Sequence, residues 1–258
     1  MSETGFKPNP QESLKSQFTS DSGWMGLYRA SAVLLIATGV VWVAVSWMSR
    51  ALYVSGYPAN PLAYLQLVFQ NQALANATWS LWDLADFLLI IPSVGLYLLL
   101  RRYNKTLALM GTALQLFFIV YDVSVTELNS LTLVSLSQSY TAAATDSLRA
   151  AYLGAATYGY ASLSIQTVLS FGIGVVGFLL WCVPMAKSNI FRHRTAIFGG
   201  VISIIGIIGS TAPLLSSPGI IGLFQFVTVP IFALWLILVG AQLFRYTRHP
   251  AVTALAGQ

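Results

Sequence analysis

The chain has 258 residues, of which 56% are hydrophobic and only 8% charged, and its formal net charge is +5. A soluble domain gives about a quarter of its residues to charge because its surface must be hydrated, so most of this exterior must face lipid. The positive excess does not point to nucleic acid, because the lysines and arginines form short clusters between apolar runs, the pattern that orients membrane helices.

Residues 1–24 are polar, with Pro8, Pro10 and several serines, and are expected to form a flexible tail. The first apolar run, about Met25 to Met48, is longer than a signal-peptide core of about 7–15 residues, which favours a retained helix. Pro61 to Ala77 places Leu62, Leu65, Phe69 and Ala73 at helical spacing among Gln66, Gln70, Asn71 and Gln72, the pattern of a short amphipathic helix on the membrane's outer surface. A second span is expected over Leu81 to Leu100, ending at Arg101 and Arg102, and a third over Thr106 to Thr126. Asp146 to Ser162 is helical in pattern and extends the fourth span, Ser164 to Pro184, outwards. The fifth span covers Ala196 to Leu214 and the sixth Gly222 to Phe244, with residues 246–258 as a second tail. The expected fold is an all-α polytopic bundle of six transmembrane helices over residues 25–245.

Six spans put Lys7, Lys15, Arg29, Arg101, Arg102, Lys105, Lys187, Arg192, Arg194, Arg245 and Arg248 on one side, and Arg50 and Arg149 on the other. The positive-inside rule makes the basic side cytoplasmic, with both termini there. A seventh span near residue 150 would put one basic cluster outside. Trp24, Trp47, Trp79, Trp82, Tyr103 and Trp181 fall at span ends, where amphipathic rings favour the headgroup layer.

Three groups of residues carry a resemblance. The first is Asp83, Leu84, Ala85 and Asp86 running on to Gly95, Leu96, Tyr97, Leu98 and Leu99, then Leu107, Ala108 and Leu109 after the basic break. The second comprises Gly172, Ile173 and Gly174, then Met185, Ala186, Lys187 and Ser188, then Phe198, Gly199 and Gly200. The third is Leu234, Trp235 and Leu236 with Gly240. Together these resemble the prokaryotic membrane family catalogued as domain of unknown function 4386, over about residues 25 to 245. The resemblance implies a single six-helix domain in a prokaryotic inner membrane, and it brings no catalytic residues. Phe232 and Ala233 stand where the family pattern has a glutamate before the final Leu–Trp pair.

Ionisable residues within membrane spans are costly and point to function. Asp83, Asp86, Asp122 and Glu127 are the acidic candidates for a ligand- or cation-binding site. At a rise of about 1.5 Å per residue, Asp86 and Asp122 lie roughly 22 and 25 Å from the basic ends of their helices, and Asp83 about 27 Å. All three then belong to the outer leaflet, while Glu127 falls at or beyond the surface. Asp83 and Asp86 share a helix face, and a short connection brings Asp122 opposite them. The pattern fits an outward-facing pocket for a small cation, proton or amine; the alternative is interfacial carboxylates paired with Arg50, Arg149 or hydroxyls such as Tyr121.

Ser164, Gln166, Thr167 and Ser170 are placed to hydrogen-bond between helices, and Gly172, Gly174, Gly177, Gly199, Gly200, Gly206 and Gly209 to allow close packing. Cys182 stands alone, and neither His193 nor His249 has a partner at metal-ligand spacing, so no disulfide, metal site or cofactor is expected. No nucleophile–base motif or phosphate loop occurs. The first functional reading is therefore a structural, accessory or small-ligand-binding membrane protein. The second is a small transporter or cation- or proton-binding protein using the acidic pocket, and the third an intramembrane enzyme. Lipid is the expected bulk partner, with a small cation or amine, a membrane-protein partner or a homo-oligomer also open.

Overall fold

A computed structural model describes residues 23–53, 58, 60–211 and 219–248. The described residues form helices α1 (Met25–Leu52), α2 (Pro61–Gln70), α3 (Gln72–Leu100), α4 (Lys105–Ala142), α5 (Asp146–Ala186), α6 (His193–Thr211) and α7 (Gly219–Arg248), with no strand among them. All but α2 are long and apolar enough to cross a bilayer, which gives the six spans the apolar runs require. The expected tails lie largely outside the described residues, although α7 continues past 245 to Arg248.

Local signals start the helices. Asn60 caps α2 by accepting from the Ala63 N–H at 2.9 Å, with Pro61 in the first turn. Asn104 caps α4 through the Leu107 N–H at 3.0 Å, and Thr145 caps α5 through the Leu148 N–H at 3.3 Å. Each side chain satisfies a donor that the first helical turn leaves over.

The six spans close into a ring in which α1 packs between α3 and α7, α5 between α4 and α6, and the contacts α3–α4 and α6–α7 complete the circuit. In lipid, helices associate through close packing rather than the expulsion of water. A Cβ on Gly39 would stand 2.6 Å from the Ala233 carbonyl, and one on Gly240 would stand 2.8 Å from that of Ala32. These two glycines let α1 and α7 touch backbone to backbone. The centre of the ring is filled by aromatic side chains around Phe178, whose ring centroid lies 5.3 Å from Trp235, 5.6 Å from Phe232, 5.9 Å from Trp181 and 6.4 Å from Trp42. Large apolar side chains cover the outside, among them Phe87, Phe117, Val120, Ile204 and Ile208, each more than half exposed. That face belongs in lipid.

Two expectations need correction. The third span does not stop at Thr126: α4 is α-helical over Lys105–Tyr121, makes a π turn over Asp122–Glu127, and continues α-helically over Leu128–Ala142. Nor does the segment after Pro61 form one surface helix, since α2 ends at Gln70 and residues 72–77 begin α3. Its inward face is Tyr64, Leu65 and Val68, whereas Phe69 is 41% exposed. The extension of the fourth span is borne out by α5, continuous from Asp146 to Ala186.

At 38 and 41 residues, α4 and α5 measure roughly 57 and 61 Å, about twice the hydrocarbon thickness of about 30 Å. Their excess projects at the end remote from the Arg101–Arg102 turn. There Leu133, Val134, Ala156 and Leu163 meet Tyr64, Leu65 and Val68 of α2, with Leu52 and Ala75, in a second apolar core. This makes a small helical cap on the bundle. The Tyr160 hydroxyl donates to the Pro58 carbonyl, and the side-chain amide of Asn129 donates to the Gly159 carbonyl at 2.9 Å, Gln166 Oε1 at 2.9 Å and Ser162 Oγ at 3.2 Å. Gln166 thus bonds between helices as expected.

Candidate functional site

The acidic residues converge where cap and bundle meet. Asp86 on α3 is fully buried, Asp122 is 8% exposed and Glu127 is 4% exposed. Asp83, one turn from Asp86, is half-buried, with Oδ1 lacking a donor among the described residues. The Asp86 carboxyl sits within hydrogen-bonding reach of Asp122, while neither of its oxygens has a donor among the described residues. Two carboxyl oxygens can bond to each other only with a proton or a cation between them. Ser170 and Thr126 stand within reach of Asp122. Glu127 Oε2 has no donor among the described residues.

Glu127 corrects the sequence reading. From Lys105 it lies roughly 33 Å along the helix, the depth at which a bare helix would emerge into water. It is buried because the cap, not solvent, covers that level. The π turn joins it to Asp122. In an α-helix, residues five apart point in different directions, whereas i→i+5 bonding widens the turn and brings them together. Both carboxyls consequently line one cavity.

That cavity encloses about 100 Å³. Its polar wall consists of Asp122, Glu127, Thr126, Ser130, Thr167, Ser170, Ser46 and Ser49; its apolar wall includes Trp42, Trp79, Trp82, Phe118 and Phe171. Trp42 and Trp82 lie 6.2 Å apart between centroids. Asp86 and Asp83 do not line the cavity, and Asp86 acts from behind Asp122. The floor rests on the aromatic centre of the ring, Trp42 against Phe178 and Phe171 against Phe232 at 5.9 Å.

The arginines proposed as counter-charges are engaged elsewhere. Arg149 pairs with Asp146 at 3.4 Å, and the Arg50 guanidinium lies 5.7 Å from the Trp47 ring centroid. Among the described residues, no lysine, arginine or histidine forms an ion pair with Asp86, Asp122 or Glu127.

The tryptophans were read from sequence as a headgroup belt. Trp24 and Trp47, 43% and 65% exposed, fit that role. Trp181 does not: it is buried in the ring and donates to Thr112 Oγ1 at 3.2 Å. Trp79 and Trp82 turn into the cavity instead. Their spacing held the signal, because Trp79 and Trp82 are three residues apart and share a helix face. Trp42, which the sequence reading passed over, completes the wall. Cys182 is buried next to Trp181, a small apolar filler as expected.

Fold and site together define a multi-pass helical membrane protein with a buried acidic cavity. No family model, curated protein or solved structure matches the chain.

Proposed function

We propose that this membrane protein binds small cations at the Asp122–Glu127 cavity, with Asp86 as an additional buried charge behind it. One observation carries the reading: Asp122 and Glu127 line a single buried cavity with no basic residue paired to them among the described residues. Burying even one unpaired carboxylate is expensive, and intramembrane acids usually mark ion or substrate paths. A bound cation would offset that cost. The basic clusters on the opposite end support a cytoplasmic location for both termini; on that reading the cavity lies near the outer face of a cell membrane.

Calorimetric titration of the purified chain with sodium, potassium, magnesium, calcium, methylammonium and tetramethylammonium tests the proposal. Binding heat is expected from at least one of these ions in the native chain, with Asp122→Asn folded but silent. If every ion is silent in the native chain, or Asp122→Asn binds equally well, the proposal fails.

A further inference from the structure

The cavity has a second face that an inorganic ion would leave unused. Trp42 is 2% exposed and lines the cavity, yet its indole Nε1 has no acceptor among the described residues. Trp79 Nε1 also lacks one, and Trp82 stands beside Trp42. A hard metal ion takes a shell of oxygens and leaves the rings of Trp42, Trp79, Trp82, Phe118 and Phe171 in this wall without a role. An alkylated ammonium has the opposite needs. Its charge spreads over a bulky apolar surface that aromatic faces attract, while a carboxylate supplies the counter-charge. One water takes about 10–15 Å³ on the scale that gives this cavity 100 Å³, so there is room for roughly seven to ten water-sized groups.

We infer that the occupant is an organic ammonium, seated with its cationic head between Trp42, Trp82 and the carboxyls of Asp122 and Glu127. The inference rests on the cation-binding reading and names its ligand class. The unoccupied indole N–H adds a preference for a head that carries a hydroxyl or ether oxygen nearby. The ammonium can belong to a free solute or to a phospholipid headgroup, since the cavity lies at the level where α4 leaves the hydrocarbon layer.

Choline is the direct probe, because its trimethylammonium head offers charge and apolar surface and its hydroxyl offers an acceptor. Binding is measured by calorimetry on the full chain in detergent, beside sodium, potassium and calcium, with tryptophan fluorescence reporting the wall. Choline is expected to bind and change the fluorescence. Trp42→Leu and Glu127→Gln are each expected to weaken it roughly tenfold or more. Trp82→Phe serves as the second aromatic variant should Trp42→Leu fail to fold, and is expected to weaken choline in the same direction. In nanodiscs, phosphatidylcholine that blocks choline relative to phosphatidylglycerol assigns the ammonium to a lipid headgroup; equal binding assigns it to a free solute. Binding of an inorganic ion that is indifferent to Trp42→Leu and Trp82→Phe overturns the inference while leaving the cation site standing. Silence from every cation overturns both.

Discussion

Replacing Gly199 by alanine tests whether the bundle is held by close approach. A Cβ at that position would stand 2.5 Å from Trp235 Cε2 and 2.8 Å from Cys182 Sγ, against 3.4 Å for an ordinary contact. Trp235 Nε1 would be nearer still, so something must move by about 1 Å. Trp235 cannot swing away freely, being fully buried, edge-on to Phe178 and bonded from Nε1 to the Thr195 carbonyl at 3.0 Å. Forcing a methyl into such packing costs about 1–3 kcal/mol, and an indole N–H stripped of its acceptor in a dry interior costs a further ~1–3 kcal/mol. The expected loss is therefore about 2–6 kcal/mol, read as a lower melting temperature in detergent by near-UV circular dichroism. Gly154→Ala is the control: nothing lies within 4 Å of its added methyl, and alanine in a helix gains roughly 0.5–1 kcal/mol over glycine. If Gly199→Ala and Gly154→Ala melt alike, the close fit of Gly199 against the Trp235 and Cys182 side chains does not carry the stability assigned to it.

In a Cys182→Ser background, a cysteine at Ala144 should react with an impermeant reagent in intact cells, and one at Asn189 only after permeabilisation; the reverse pattern sinks the orientation. Leu133→Ala should destabilise the cap by about 2–5 kcal/mol, seen as faster hydrogen exchange in α2 and residues 128–142; uniform exchange would mean the cap is no separate core. The Tyr64 phenol is pushed up to about 12, chiefly by burial, with the Glu127 charge raising it further and a bond to Tyr53 opposing. Its folded value lies above the ordinary 10, so its contribution is complete below that pH and is lost as pH rises through about 12. The native chain should lose stability across that window relative to Tyr64→Phe, and parallel curves would refute the burial.

The spans were legible because lipid imposes a simple demand, an apolar stretch of about 20 residues, and runs such as Leu81 to Leu100 meet it. The end of the third span was not legible. Residues 128–142 alternate leucine and valine with serine and threonine, too polar to read as a span, yet they form helix because the cap buries Leu133 and Val134. The same cap explains Glu127: its distance along the helix was read correctly, but its burial depends on segments distant in sequence. Asp86 facing Asp122 followed from the short α3–α4 connection. The π turn that aligns Glu127 with Asp122 has no mark in the sequence, since Asp122–Glu127 reads as ordinary helix.

The cap also gives the molecule two kinds of cohesion. Lipid-bathed helices gain nothing from shedding water, so the ring depends on contact quality, which changes little on cooling. The apolar core above it is surrounded by water and held by the hydrophobic effect, which weakens as temperature falls. Chilling should therefore loosen the upper storey first while the ring stays shut. Because α4 and α5 run unbroken through both levels, the storey that responds to cold is also the roof over Glu127.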